Sequence, residues 1–165
     1  SSGTAAVQMS KYLGAEVTGV CSGRNVDMVK GLGADHVIDY TKEDFTQNGV
    51  KYDVIFDTVG KTSFSKTKAS LKSEGMFLSP VLDLGLLVKM LWTSLFGQKK
   101  AFFMATGLRS KEEKKADFEV IQQLLAEGKL HAVIDRTYHL PQIPEAHEYV
   151  EKGHKRGNVV VEMLS

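Results

Sequence analysis

The 165 residues are 25% charged and 42% hydrophobic, ordinary for a soluble globular protein and enough for one domain with a real core. A formal net charge of +1 gives no electrostatic case for nucleic acid or a membrane as partner. A single cysteine excludes a disulfide framework and any Cys-rich zinc site; with no signal peptide at the start, it points to a reducing, cytoplasmic setting.

The chain opens with Ser1-Ser2-Gly3-Thr4, which runs directly into a helical pattern. Ala5, Met9 and Leu13 fall on one face of that helix, and Gly14 ends it. By itself the segment reads as a plain serine-capped amphipathic helix. The β-α-β unit behind it favours another reading, in which Gly3 is the last glycine of a phosphate loop begun by residues outside the sequence.

Gly14 to Tyr40 reads strand, turn, helix, strand. Val17, Gly19 and Cys21 alternate with Thr18 and Val20, a run suited to a strand covered on both faces. Ser22 to Asn25 is a polar turn. Val26, Val29 and Leu32 recur at helical spacing, Gly33 stands at the C-cap, and His36 to Asp39 starts a second strand. A unit this compact implies a right-handed crossover and a parallel sheet, whose ligands lie at the carboxyl ends of the strands. That end is Cys21-Ser22-Gly23-Arg24-Asn25. An NADH-selective site carries an Asp or Glu here for the ribose 2′-hydroxyl. This chain has Ser22 and Arg24 instead, and a guanidinium can bind a 2′-phosphate bidentately. The residues therefore favour NADPH over NADH. The plainer alternative for Arg24 is a solvated residue at a helix start.

Tyr52 to Val59 is the next buried strand, with Asp53, Ile55 and Asp57 on one face and Val54 and Phe56 on the other. Paired catalytic acids are one reading of Asp53 and Asp57; a strand-end charge and a carboxylate bonded to loop amides is the stronger one. Thr62 to Lys72 reads as helix, and Gly75 to Ser79 as a strand stopped by Pro80. Val81 to Phe96 is apolar almost all round and too short to span a bilayer; its place after a strand end suggests a lid beside the ligand site. Ala101 to Thr106 reads as a strand. Lys111 to Glu127 is an amphipathic helix striped by Phe118, Ile121, Leu124 and Leu125. Val133 to Leu140 is extended, Pro141 to Lys152 is helical, and Gly157 to Met163 is a last strand. The histidines are scattered without metal-ligand spacing, so no metal site is expected.

AAVQMSKYLGAEVTGVCS, KGLGADHVIDYTKEDF, YDVIFDTVGK and GKLHAVIDRTYHLPQIPEAHEYVEKGHKRGNVVVE together resemble the medium-chain dehydrogenase/reductase superfamily, and within it the zinc-free quinone oxidoreductase-like branch. The resemblance covers almost the whole chain. It implies the C-terminal, nucleotide-binding part of a longer enzyme whose N-terminal domain supplies much of the substrate cleft. By position, it places Gly3 and Thr4 at the end of the phosphate loop, and Ser22, Arg24 and Asn25 at the 2′-phosphate. Relatives commonly carry Lys where Asn25 stands. It places Tyr40 beside the adenosine phosphate and Thr58, Val59 and Gly60 near the ribose. Leu78, Ser79, Phe103, Met104 and Ala105 fall beside the nicotinamide, and Asn158 in a tail that closes over the cofactor. It also implies a homodimer through the strand near Phe102 and Met104.

The expected fold is an α/β, Rossmann-type doubly wound parallel sheet, in the order 3-2-1-4-5-6 with strand 1 absent. Residues 1–128 would form the dinucleotide-binding domain, and residues 129–165 a segment returning toward the N-terminal catalytic domain. The expected activity is hydride transfer from NADP(H), favoured over NAD(H), to a quinone, enone or similar small carbonyl compound, without zinc. No nucleic-acid or membrane partner is expected, and the chain alone would be inactive. A methyltransferase-like domain using S-adenosylmethionine and a non-catalytic nucleotide-binding or structural module are the alternatives.

Overall fold

A computed structural model describes residues 2–82, 84–96, 98–104, 109–153 and 155–163. In chain order the elements are α1 (Ser2–Tyr12), β1 (Thr18–Cys21), α2 (Val26–Gly31), β2 (His36–Asp39), β3 (Tyr52–Phe56), α3 (Phe64–Thr67) and β4 (Leu71–Ser79). They continue with α4 (Leu84–Phe96), β5 (Lys100–Phe103), α5 (Lys111–Ala126), β6 (Ile134–His139), α6 (Ile143–Glu151) and β7 (Asn158–Glu162). The chain divides into two compact units, Ser1–Val37 with Phe118–Ser165, and Ile38–Asp117.

The strands form a pair β1-β2, a parallel sheet β3-β4-β5 and a parallel pair β6-β7. Taking strand 1 out of the order 3-2-1-4-5-6 leaves 3-2 and 4-5-6, which are the first two of these groups. This is the mixed α/β, Rossmann-like architecture expected. Among the described residues, no further strand pairs with β1 or with the outer edge of β3.

The core of the Ile38–Asp117 unit follows from strand register. Ile55 lies opposite Phe77, and Phe77 opposite Ala101, so a row of apolar side chains faces one side of the sheet. Phe64, Leu71 and Leu86 complete the buried cluster, with Phe45, Tyr52, Met90 and Phe103 packed around it. Phe64 meets Phe77 edge-to-face at 6.3 Å. Burying each large side chain contributes roughly 1.5–3 kcal/mol. The helix expected over Thr62 to Lys72 is shorter. Ser63 caps α3 by accepting the Lys66 N–H, a single tighter turn reaches Ser70, and Leu71 already pairs with Tyr52 in the sheet.

In the other unit α1 turns a different face inward from the one expected. Thr4 and Gln8 are buried, whereas Ala5 and Leu13 are exposed. The reason is a polar clamp. Gln8 Oε1 accepts the His131 N–H at 2.8 Å, and Gln8 Nε2 donates to the carbonyls of His131 and Thr4, each at 3.1 Å. With its donors and acceptor satisfied, the amide is buried at little cost.

Strands β1 and β3 are not covered on both faces. Val20, Val54 and Phe56 are exposed, because neither strand has packing on that side among the described residues. The stripe on α5 is likewise only part-buried: Leu124 is enclosed, and Phe118, Ile121 and Leu125 face outward. Helical periodicity showed which face is apolar, but coverage depends on what packs against it.

Candidate functional site

The turn after β1 is built by its own side chains. Ser22 is extended, and Gly23 to Asn25 close one tight turn in which Asn25 N–H donates to the Ser22 carbonyl at 2.8 Å. Asn25 Nδ2 donates to Ser22 Oγ at 3.1 Å. Onto this turn reaches a residue that the sequence reading missed. Arg156 Nε donates to Asn25 Oδ1 at 3.0 Å, and Arg156 Nη2 donates to the Arg24 carbonyl at 2.9 Å. The Arg156 backbone is fixed in turn: its N–H donates to Asp135 Oδ2 at 2.8 Å, and the Tyr149 hydroxyl donates to the same oxygen at 2.7 Å. Burial pushes the Asp135 carboxyl up, but these two donors and the nearby Arg136 and Arg156 charges outweigh it and hold its pKa below the ordinary value. Arg136 stacks on the Tyr149 ring at 4.0 Å.

The turn thus contains Ser22 and Arg24 and receives the Arg156 guanidinium, and residues 22–25 contain no carboxylate. Arg156 Nη1 has no partner among the described residues, so one edge of the fork can accept an anion. Gly3 and Thr4 lie in the first turn of α1. Asn158 opens β7, with its N–H donating to the Val133 carbonyl at 2.7 Å. Adjacent Gly157 has no room for a side chain, since a Cβ there would lie 2.5 Å from that carbonyl.

The other unit carries the remaining candidates at the carboxyl ends of β3, β4 and β5. Those ends are tied laterally: Asp57 N–H donates to the Leu78 carbonyl and Met104 N–H to the Ser79 carbonyl, each at 2.9 Å. Asp57 spends its carboxylate on the loop, Oδ1 accepting from the amides of Val59 at 3.1 Å and Gly60 at 2.9 Å, and Oδ2 from Thr62 at 2.8 Å. Asp53 pairs with Lys72 at 2.8 Å. The two acids are therefore structural, as the stronger reading had it. Thr58, Val59 and Gly60 form the turn, with Gly60 at φ 74° and so close to Val81 that a Cβ would lie 2.7 Å from its Cγ2. Ser79 Oγ accepts the Val81 N–H at 3.1 Å and donates to its carbonyl at 3.2 Å. A cavity of about 120 Å³ opens here, lined by Gly60, Thr62, Phe77, Ser79, Val81 and Lys89. Thr62 Oγ1 is buried without a hydrogen-bond partner among the described residues. It is a hydroxyl to which the sequence gave no pointer. Phe103 and Met104 are half-buried, Tyr40 is exposed just past β2, and Ala105 lies outside the described residues.

The structure thus brings Ser22, Arg24 and Asn25 together with Arg156 in one unit. In the other it brings Thr58, Val59 and Gly60 together with Leu78, Ser79 and Met104. One setting holds Arg24 and an Arg156 anchored by Asp135, with no carboxylate in residues 22–25; the other holds the Thr62 hydroxyl, buried in the loop between β3 and α3. Among the described residues no three His, Cys, Asp or Glu side chains converge.

A family model for zinc-binding dehydrogenases matches residues 32–161. The mouse mitochondrial NAD(P)H oxidoreductase RTN4IP1 is 33% identical over 98% of this chain and 45% of its own length. The solved quinone oxidoreductase of Coxiella burnetii superposes with a TM-score of 0.79 at 29% identity, over 97% of this chain and 49% of that one. The Escherichia coli quinone oxidoreductase complexed with NADPH has the same fold, with a TM-score of 0.75 at 22% identity, over 96% of this chain and 53% of that one. The chain therefore spans about half the length of these relatives. By family match, strand grouping and the placement of its loops, the chain belongs to the zinc-binding dehydrogenase family of the medium-chain dehydrogenase/reductase superfamily.

Proposed function

We propose that this chain is the nucleotide-binding part of an NADPH-dependent oxidoreductase acting on a quinone, enone or similar carbonyl compound. The observation that carries the reading is the turn at Ser22 to Asn25, which holds Arg24 and no acid and onto which the Arg156 guanidinium is bonded. The names of the relatives, quinone and NAD(P)H oxidoreductases, support the substrate class. When bound, the nicotinamide supplies the hydride; the protein's part is to bind, orient and exclude water.

In this reading Ser22, Arg24 and Arg156 hold the 2′-phosphate, with Asn25 as the strut between them. Tyr40 borders the adenosine phosphate, and the first turn of α1 at Gly3 and Thr4 faces the diphosphate. Thr58, Val59 and Gly60 follow the ribose, to which Thr62 offers its hydroxyl. Leu78, Ser79, Phe103, Met104 and Ala105 flank the nicotinamide, and Asn158 belongs to a tail that closes over the cofactor. Residues 1–128 serve the nucleotide, and residues 129–165 lead toward a substrate-binding domain. β5 pairs with a second copy near Phe102 and Met104, because an apolar edge strand favours such pairing. None of these residues is placed as a general acid, so we infer that the 165-residue chain alone does not reduce substrate.

The test is a titration of the chain with 2′,5′-ADP and with 5′-ADP, followed by backbone amide resonances. The Ser22 to Asn25 amides should shift at lower concentration of the 2′-phosphorylated ligand. Equal response to both ligands, or none, would overturn the NADPH assignment.

A further inference from the structure

We propose, on the reading of the Ser22–Asn25 turn as a 2′-phosphate site, that Asp135 and Tyr149 are positioning residues for that phosphate. They fix the Arg156 backbone so that its guanidinium lies ready on the turn, and so raise the preference for a 2′-phosphorylated nucleotide. Strand β6 carries the device. Ile134 pairs with Asn158 of β7 and Arg136 pairs with the very next residue, Val159, so Asp135 is the extra residue of a bulge. Successive side chains of a regular strand point to opposite faces, and a bulge re-aims them. Here Asp135 and Arg136, though adjacent, meet one and the same side chain. The Tyr149 hydroxyl donates to Asp135 Oδ2 at 2.7 Å, and Arg136 Cζ lies 4.0 Å from the centre of the Tyr149 ring. The phenol is held at its hydroxyl and over its face, and in turn it fixes the direction of the Asp135 carboxylate.

Asp135 Oδ2 accepts a second bond, from the Arg156 N–H at 2.8 Å. On the other side of Arg156, buried Gly157 packs so closely that a Cβ would lie 2.5 Å from the Val133 carbonyl oxygen. The backbone at Arg156 is thus pinned on both sides. Its side chain is exposed, and an exposed arginine ordinarily keeps much rotamer freedom. This one bonds Asn25 Oδ1 at 3.0 Å and the Arg24 carbonyl at 2.9 Å, which it reaches only from a fixed starting point. An anion then meets a cation that is already ordered, and binding loses less to side-chain entropy. Asp135 and Tyr149 act through Arg156 and bind no phosphate themselves. A tie that merely stabilises the tail is the competing account, and it would leave the choice between nucleotides untouched.

The 165-residue chain and its variants are titrated calorimetrically with 2′,5′-ADP and with 5′-ADP. Proton exchange at the Arg156 Nε–H is followed by NMR without ligand. Tyr149→Phe keeps the ring under Arg136 and removes the hydroxyl. Asp135→Ala removes the acceptor, whereas Asp135→Asn keeps an oxygen that accepts both bonds. Asp135→Ala should lower the ratio of 2′,5′-ADP to 5′-ADP affinity about tenfold and Tyr149→Phe about threefold, with faster Nε–H exchange in both. Asp135→Asn should return the ratio and the exchange rate close to those of the parent chain, although the charge is gone. If Asp135→Ala fails to fold, Tyr149→Phe and Asp135→Asn carry the test. Unchanged Nε–H exchange in Tyr149→Phe overturns the proposal. So does an unchanged affinity ratio in a chain whose ratio collapses with Arg156→Gln; the 2′-phosphate reading then stands without the positioning pair. A parent chain with no preference for 2′,5′-ADP overturns that reading itself, and the proposal with it.

Discussion

Arg156 donates from Nε to Asn25 Oδ1 at 3.0 Å, across 131 positions of sequence. This contact makes the turn after β1 and the tail before β7 one cationic site. Arg156 is itself anchored through Asp135 and Tyr149, so the guanidinium is held before any ligand arrives. Replacing it removes a charge and loosens the turn together. Arg156→Gln should weaken 2′,5′-ADP binding by about 1.5–3 kcal/mol, the range for hydrogen bonds to a charged group, and leave 5′-ADP binding nearly unchanged. Arg156→Lys should restore only part, because an ammonium cannot span Asn25 and the Arg24 carbonyl at once. A parallel loss for both nucleotides would assign Arg156 to folding alone.

Arg24→Glu probes the same site from its other side. A carboxylate on the turn repels a 2′-phosphate but can accept a ribose 2′-hydroxyl. The variant should therefore bind 2′,5′-ADP more weakly and keep or gain affinity for 5′-ADP. Unchanged 2′,5′-ADP binding would return Arg24 to the role of a solvated residue at a helix start.

Gly60 combines a positive φ with contact on Val81. Gly60→Ala should destabilise the Ile38–Asp117 unit by roughly 1–3 kcal/mol, through left-handed backbone strain and displacement of Val81. Gly49 also has positive φ, but nothing lies within 4 Å of a Cβ there, so Gly49→Ala isolates the backbone part. Denaturant midpoints of the two variants measure the difference; equal losses would show that Val81 moves aside freely.

The comparison of sequence with structure separates local from distant information. The β1–α2–β2 unit was legible because Gly33, Val29 and the strand alternation are all short-range signals. The Asp57 loop was legible because a carboxylate followed by Thr-Val-Gly tends to bond its own amides. The position of the family's tail was legible through resemblance, but not the reach of Arg156 back to Asn25, since no local pattern encodes a contact that distant. Thr62 was invisible for another reason: a buried hydroxyl without a partner is defined by what fails to surround it. The inward face of α1 was misread because periodicity counts apolar residues, and here an amide, Gln8, supplies the contact. Family membership removes the methyltransferase alternative, which the residues alone had left open.

Gln8 gives that last point a measurable form. Its carboxamide satisfies both the N–H and the carbonyl of His131. Gln8→Leu keeps the volume and deletes both bonds, leaving backbone groups unpaired in a part-buried setting. A loss of about 1–3 kcal/mol is expected, and Gln8→Glu, which keeps the acceptor for the His131 N–H but sets a buried carboxylate against the His131 and Thr4 carbonyls, should lose at least as much at neutral pH. If Gln8→Leu proved as stable as the parent chain, helix burial by apolar contact would be the better account of α1.

Acid sensitivity should trace to Asp35. Lys11 Nζ donates to its carboxylate at 2.8 Å, and the Val17 N–H donates to Oδ2 at 2.7 Å. The Lys11 hydrogen bond, then the Val17 amide, hold its pKa below the ordinary aspartate value of 3.8, against a smaller opposing effect of desolvation. A lowered folded pKa means that the unfolded chain takes up the proton first as pH falls. The stabilisation is therefore complete above the unfolded value, begins to fade near it, and is gone once pH drops below the folded pKa. The pair is solvent-exposed, so salt should reduce the effect. Denaturant midpoints measured from neutral pH down through the ordinary carboxylate range should fall for the parent chain, and fall less steeply for Asp35→Asn. Lys11→Met should flatten the profile only partly, because the Val17 amide remains as a donor to the charged form. Equal slopes for the parent chain and Asp35→Asn would place the acid-sensitive group elsewhere, with Asp135 the next to replace, since its carboxyl is also held low.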